Sequence, residues 1–262
     1  MSGQPALDGI RAALCAALPG WVKEVFNEQP EIWSKGSDGL DLVTNVDLNM
    51  QRLLKARLQE LLPGSSVVGE EDYRPHEGSG PLWLVDPLDG TVNFVAGLPV
   101  YSVAVVLMID GEPTLSAVYD IVQNDLYSAQ KGGGARLNEE PLLPEPRQSN
   151  LAIVSSGLLK DFAIVAPDAL AQLLTMFKLR NFGSQALHLC YAAAGRVSLV
   201  ASREAKGWDD MAGALIAQEA GLRYASYDLG DAPVRLDNDQ KSLCAPREIF
   251  EKQKPLFARS CA

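Results

Sequence analysis

Trp83-Leu84-Val85-Asp86-Pro87-Leu88-Asp89-Gly90-Thr91-Val92-Asn93-Phe94 is the stretch from which the rest of the chain can be read. Its apolar start, Leu82 to Val85, reads as a strand. Two aspartates follow, separated by Pro-Leu. Pro87 stiffens a bend and removes one backbone donor, and a turn here lets Asp86, Asp89 and the Leu88 carbonyl face one centre. Gly90-Thr91 then offers backbone N–H groups to an anion without side-chain crowding. Taken alone, Asp-Pro-x-Asp-Gly is most often only a turn.

Two further segments give it weight: Val68-Gly69-Glu70-Glu71-Asp72 and Gly207-Trp208-Asp209-Asp210. Each follows an apolar strand or opens a helix, where α/β proteins present ligands. If the three segments converge, one site holds several carboxylates. Two unit charges about 4 Å apart repel by roughly 4 kcal/mol at an effective dielectric near 20, so such a site stays partly protonated or recruits cations. All-oxygen ligation selects hard ions such as Mg²⁺, which share their sphere with substrate phosphate. The two histidines, His76 and His188, cannot supply a zinc triad.

The composition narrows the function classes. In 262 residues there are 23 Lys and Arg against 33 Asp and Glu, a formal charge of −10. Phosphate neutralisation needs a basic face, so a constitutive nucleic-acid or anionic-membrane binder is disfavoured. A hydrophobic share of 47% supports a sizeable core, in one large domain or two lobes. Cys15, Cys190, Cys244 and Cys261 form no CxxC pair, which suits a reducing compartment. The first residues lack the order of a secretion signal, and no apolar run approaches the roughly eighteen residues of a membrane span. The expectation is a soluble, cytoplasmic protein.

Around the central stretch the elements alternate. Helical spacing predicts a helix from Leu7 to Phe26, ended by Pro30, and Gly36-Ser37-Asp38-Gly39 suggests a hairpin or mobile loop. Asp47 reads as the cap of a second helix whose apolar face runs from Met50 to Leu62 before Pro63-Gly64 stops it. Strands are expected at 66–68, 82–85, 100–108 and 115–121. Lys131-Gly132-Gly133-Gly134 reads as a hairpin turn rather than a phosphate cradle, since no helix with Lys-Ser or Lys-Thr follows. Proline and charge from Pro141 to Pro146 mark a boundary. Beyond it, strands are expected at 152–155 and 197–201, with helices at 169–177, 186–194 (closed by Gly195) and 211–220 (closed by Gly221). This order suggests α/β layering. Trp83 and Trp208 read as core anchors, His188 as filling a helix face and Cys190 as a small core residue.

Gly69-Glu-Glu-Asp72, the run Trp83 to Phe94 and Trp208-Asp-Asp-Met-Ala-Gly213, together with Asp41 to Asp47, resemble the inositol monophosphatase family of Mg²⁺-dependent, lithium-sensitive phosphatases. The resemblance implies an α/β (α+β) fold, a layered αβαβα sandwich of the inositol monophosphatase and fructose-1,6-bisphosphatase type, commonly dimeric. It implies one phosphatase domain over residues 1–262, with sublobes of about 1–145 and 146–262. Glu70, Asp86 and the Leu88 carbonyl match ligands of a first Mg²⁺; Asp86, Asp89 and Asp209 match those of a second, and Glu70 also lies near a more weakly held third. Gly90 and Thr91 match the phosphate-binding backbone. Thr91 and Asp47, with Glu70, match the residues that act on the nucleophilic water. Lys35 matches a lysine near the site on the loop preceding Asp41 and reads equally as an exposed loop lysine; Asp41 and Thr44 read as ordering the loop.

Substrate choice belongs to the second half, where the match loosens. Gly183-Ser184-Gln185 resembles the family's Gly-Thr/Ser-Ala loop that touches the substrate's hydroxyl-bearing part, as Asp89 also does, but Gln185 is larger than the usual alanine. Animal relatives carry an inositol-binding glutamate seven residues before the last metal aspartate; this chain has Ser202. Met211 replaces a small residue and adjusts packing. Arg203, Lys206, Lys178 and Arg180 cluster locally. They suit either a second phosphate or carboxylate on the substrate, Arg203 being the candidate contact, or a solvated rim paired with acids such as Glu204. The expected activity is Mg²⁺-dependent hydrolysis of a polyol or sugar phosphate, with an inositol monophosphate as default. Fructose 1,6-bisphosphate, histidinol phosphate and a 3′-phosphonucleotide stay open, as does a non-catalytic regulatory binding role.

Overall fold

The computed structural model describes residues 4–27, 29–35, 41–73, 80–144, 150–228 and 239–261. His76, the Gly36–Gly39 segment and Pro146 lie outside the described residues. The chain opens with α1 (Gln4–Val25), then β1 (Ile32–Ser34) and β2 (Leu42–Thr44), which pair antiparallel. Helix α2 (Asn45–Leu61) follows. Its cap is Thr44, not Asp47. The Thr44 hydroxyl accepts from Asp47 N, and the Asp47 carboxylate accepts from Thr44 N in return, so Asp47 is the third helical residue of a reciprocal capping box.

Seven strands make the first sheet in sequence order: β3 (Ser66–Gly69), β4 (Leu82–Asp89), β5 (Ser102–Ile109), β6 (Glu112–Asp120), β7 (Asp125–Gln130), β8 (Gly134–Leu137) and β9 (Glu140–Pro141). β3 and β4 run parallel; every later pair is antiparallel. A single 3₁₀ turn, Glu70–Asp72, follows β3, and the short helix α3 (Thr91–Ala96) follows β4. The Lys131–Gly134 segment is a hairpin turn, as expected. Gly132 N and Gly134 N donate to the Glu219 carboxylate at 2.8 and 2.9 Å, so the anion they cradle belongs to the chain itself.

The second half supplies β10 (Leu151–Val154), α4 (Ser156–Val165), α5 (Pro167–Met176), β11 (Lys178–Arg180), α6 (Gln185–Ala193), β12 (Leu199–Ala205), α7 (Gly207–Glu219), β13 (Arg223–Ser226), β14 (Gln240–Ala245) and α8 (Arg247–Ala258). The sheet order is β11-β10-β12-β14-β13. Helix α4, strands β11, β13 and β14, and helix α8 go beyond the sequence expectations, and α7 starts at Gly207 rather than Met211.

The layers follow from alternation along the strands. On β4 and β5, Trp83, Val85, Val103, Val105 and Leu107 point to one face and pack on α1 and α2 through Leu14, Leu18, Met50, Leu54 and Leu58. Leu84, Ala104, Val106 and Met108 point the other way, onto α6 and α7, which lie against Ile153, Val200 and Cys244 of the second sheet. The outer face of that sheet, with Ala152, Val154, Leu199 and Leu243, is covered by Leu158, Phe162, Leu173, Phe250 and Phe257 of α4, α5 and α8. The result is a five-layer αβαβα sandwich. Trp83, Trp208, Cys190 and Met211 are all buried.

Candidate active site

The site is built at the end of β4. Asp86 pairs with Ala104 and Asp89 with Ser102, so Pro87 and Leu88 together oppose Val103. This is a β-bulge, not the free-standing turn expected from the sequence, and a bulge tolerates a proline that has no N–H for the ladder. Side chains three apart on a regular strand point to opposite faces; one extra residue returns Asp86 and Asp89 to the same side. Both line one cavity of about 270 Å³.

Two other elements bring carboxylates to it. The parallel register sets Gly69 beside Val85, so the turn after β3 delivers Glu70 next to the bulge. Helix α7 brings Asp209, held by Lys206 N donating to its Oδ2 at 2.6 Å. Oxygen atoms of Glu70, Asp86 and Asp209 all lie within 4.8 Å of one another. Burial, followed by the charges of Glu70, Asp89 and Asp209, pushes the Asp86 carboxyl well above its usual range. Burial and Glu70 do the same to Asp209. Glu70 is raised by burial against the opposing pull of Lys35, whose Nζ donates to Glu70 at 2.5 Å and Glu71 at 2.8 Å. Burial lowers the Lys35 ammonium, but those two carboxylates outweigh it and hold it above its ordinary value. A cluster that resists ionisation when alone, and that offers only hard oxygen donors, fits a divalent cation.

Asp89 plays a different part from the other three. Its Oδ2 accepts from Ser184 Oγ (2.6 Å), Ala186 N (2.8 Å) and Ser102 Oγ (3.3 Å), and its Oδ1 from Gln185 N (3.0 Å). The start of α6 thus cradles this carboxylate with the positive end of its dipole. Burial still raises Asp89 to about 6. A carboxylate has about four acceptor positions, so Oδ1 keeps room for one more partner.

Just after the bulge, Thr91 Oγ1 donates toward Asp47 Oδ1 at 2.8 Å and lies 3.0 Å from the Leu88 carbonyl. Asp47 is 1% exposed, and its other oxygen accepts from Thr44 N and Thr44 Oγ1, so the carboxylate cannot turn. Gly90 precedes α3 at φ 101°. A side chain there would meet the Val100 and Gly183 carbonyls at 3.0 and 3.1 Å. Gly90 is therefore required both by the backbone and by the space. Asp41 and Gly183 also line the cavity, and Lys35 N donates to the Asp41 carbonyl at 2.9 Å.

Several residues of the site carried no clear sequence signal. His188 is buried with its ring nitrogen Nε2 accepting from Phe182 N at 3.1 Å, so Nδ1 carries the proton and donates to Gln185 Oε1 at 3.2 Å. Burial lowers its pKa to about 3, which keeps it neutral. Gln185 Nε2 in turn donates to Asp210 Oδ1 at 2.7 Å, and the Tyr224 hydroxyl donates to Asp210 Oδ2 at 2.7 Å. The large polar residue in the expected substrate loop thus satisfies a buried aspartate of the neighbouring helix. Ser155, Asn181, Ser202 and Glu204 also line the cavity, and Glu204 borders the adjoining hollow with Glu70 and Asp209.

The cationic cluster points elsewhere. Arg203 Nε pairs with Asp161 Oδ2 of α4 at 2.5 Å, Lys206 Nζ pairs with Asp239, and Arg180 donates to the Leu179 carbonyl. Among the described residues no lysine or arginine lines this cavity. The expected Arg203 contact with a second substrate anion is not supported, because its partner is the side of α4.

The inositol monophosphatase family model matches residues 7–259. An inositol-1-monophosphatase of Mycobacterium leprae is 39% identical over 200 residues, covering 69% of this chain and 67% of that protein. A protein of Pasteurella multocida named Nus factor SuhB is 32% identical over 227 residues, covering 83% and 84%. An IMPase structure from Thermotoga maritima superposes with a TM-score of 0.80 at 24% identity, covering 97% of each chain. The sequence match extends across both sheets and both ends of the acidic site, so the chain belongs to the inositol monophosphatase family.

Proposed function

We propose that the protein hydrolyses a phosphate monoester of a polyol or sugar, with an inositol monophosphate as reference substrate, in a reaction dependent on Mg²⁺. The observation that carries this reading is the meeting of Glu70, Asp86 and Asp209 within 4.8 Å in a cavity that Asp41, Asp89 and Glu204 also line. A phosphate dianion does not enter such a field unless cations neutralise it first. Glu70, Asp86, the Leu88 carbonyl, Asp89 and Asp209 are the residues that would hold two ions, with Glu70 also serving a weaker third. When bound, such ions lower the pKa of water and stabilise the departing alcohol oxygen.

The chain's own groups do the rest. Thr91 donates a hydrogen bond from its hydroxyl to Asp47, which leaves its oxygen lone pairs to accept a hydrogen bond from water and aim that water at phosphorus. Asp47, fixed by Thr44, is the acceptor toward which the water's proton passes. Backbone N–H groups of Gly90 and Thr91 receive phosphoryl oxygens, whose charge spreads in the transition state. Water adds to phosphorus, the ester P–O bond breaks, the leaving oxygen takes a proton from solvent to depart as the alcohol, and Asp47 returns the proton it received to solvent.

Phosphate release from inositol, sugar, histidinol and nucleotide phosphates, with and without Mg²⁺, tests this. Release that requires Mg²⁺ and is inhibited by lithium is expected. No release from any ester would leave a non-catalytic regulatory binding role. We place the protein in the cytoplasm as a homodimer of single phosphatase domains. The free state of Cys15, Cys190, Cys244 and Cys261 suits a reducing compartment. No helix among the described residues is long and apolar enough to cross a membrane.

A further inference from the structure

The first turn of α6 bonds to carboxylates on two other elements, and Gln185 reaches both. Gln185 N donates to Asp89 Oδ1 at 3.0 Å, and its side chain donates from Nε2 to Asp210 Oδ1 at 2.7 Å. Asp89 ends β4, and Asp210 follows Asp209 in α7. The direction of the side-chain bond is fixed. A carboxylate accepts, so Nε2 faces Asp210 and Oε1 faces His188, whose Nδ1 donates to it at 3.2 Å. His188 Nε2 is thereby left to accept from Phe182 N at 3.1 Å. Asp210 is fully buried, and the Tyr224 hydroxyl donates to its Oδ2 at 2.7 Å. Its carboxylate is thus gripped from α6 and from β13 and cannot turn.

Successive residues of an α-helix stand about 100° apart around its axis. With Asp210 drawn to α6 and β13, its neighbour Asp209 is turned to the cavity, which it lines. The apolar contact of Gly213 with Leu189 and Ala186 lies about one turn further along α7. Such packing sets the distance between the helices but has no direction of its own, whereas a hydrogen bond does. An alanine at position 185 could not make that bond. Resting on the Mg²⁺-dependent reading above, we infer that Gln185 is a positioning residue for cation binding. Through Asp210 it fixes the rotation of the first turn of α7, and through its backbone it holds Asp89, so Asp89 and Asp209 stand in register for one cation before any substrate arrives.

Calorimetric titration of Mg²⁺ into the full chain, without substrate, separates this role from a structural one. Gln185→Ala is expected to weaken Mg²⁺ binding about tenfold, the scale of one hydrogen bond to a charged group. Gln185→Met, which keeps the length of the side chain and removes its amide, should show the same loss. Asp210→Ala should match it too. The double variant Gln185→Ala/Asp210→Ala should bind no more weakly than either single one, because the two groups act as one link. Losses that add would mean that Asp210 acts through its charge and Gln185 separately, and would overturn the proposal. Wild-type affinity in Gln185→Ala or Gln185→Met overturns it as well; joined to a lower melting temperature in EDTA, that result reduces the bond to a core contact. If Asp210→Ala does not fold, the two Gln185 variants decide. A wild type that takes up no Mg²⁺ ends the metal reading and this one together. A wild type that binds Mg²⁺ but releases phosphate from no ester ends the phosphatase reading alone, and the titration still decides the role of Gln185.

Discussion

Asp86 shows what the site asks of a single residue. It is 2% exposed, its carboxylate accepts from Leu88 N, and its ionised neighbours Glu70, Asp89 and Asp209 all repel it. Without a cation this carboxyl ionises only against burial and that repulsion, at a pH well above its usual range. Asp86→Asn should therefore lower Mg²⁺-dependent phosphate release by at least about 100-fold, the scale of removing a main electrostatic element. The same change should raise the metal-free melting temperature at alkaline pH. A variant that loses activity and also melts lower would indicate misfolding instead. At this scale the acids were legible because their residue types and spacing say what they can bind. Arg203 was not, because its direction is set by Asp161 on α4, a helix that the local pattern did not announce. Gln185 lines the cavity as the loop reading expects, but its bond to Asp210 was hidden for a similar reason: the two become neighbours only when α6 packs on α7.

Elements place these residues, and the contact between α6 and α7 does most of it, since α6 cradles Asp89 and α7 carries Asp209. Gly213 sits in that contact. A Cβ there would stand 2.7 Å from Leu189 Cβ and 3.0 Å from the Ala186 carbonyl. Gly213→Ala should force the helices apart at a cost of about 1–3 kcal/mol, the usual range for overpacking. Calorimetric Mg²⁺ affinity should fall with it, because Asp89 and Asp209 move relative to each other. A loss of stability with unchanged metal affinity would uncouple the helix packing from the site. Helices α1 and α2, with apolar residues at helical spacing, and α6, closed by Gly195, were legible. The bulge in β4 was not, because Pro87 reads equally as a turn until β5 is seen to pair on both sides of it. Thr44 and Asp47 form a reciprocal pair from which either could be picked as the cap. Strands β13 and β14 mix polar residues into short runs, and Pro255 interrupts the helical pattern of α8.

Across the whole molecule, the layered order was legible from the alternation of elements, but the five-stranded sheet with β14 between β12 and β13 depends on pairing between distant segments. The acidic balance acquires its meaning at this scale, because a net charge of −10 includes carboxylates that the layers force together. Burial pushes Asp89 up to about 6, and burial, partly opposed by Lys35, pushes Glu71 up to about 7. Asp86 and Asp209 are also raised. The folded state thus keeps protons that the unfolded chain has released above its ordinary value near about 4. Their stabilising contribution is complete below that value and is lost as pH rises through the folded values. His188 acts with the opposite sign: lowered to about 3, it refuses a proton that the unfolded chain accepts below about 6.5. Above about 6.5 it is neutral in both states and adds no slope. Between pH of about 6.5 and 8 the carboxylates govern, and the metal-free protein should lose about 3 °C in melting temperature per pH unit for each proton retained. Saturating Mg²⁺ should flatten that decline, because a bound cation stabilises the ionised cluster only in the folded chain. Differential scanning calorimetry in EDTA and in Mg²⁺ measures both slopes. A metal-free melting temperature that rises with pH across this window would mean that the carboxylates do not share one buried field.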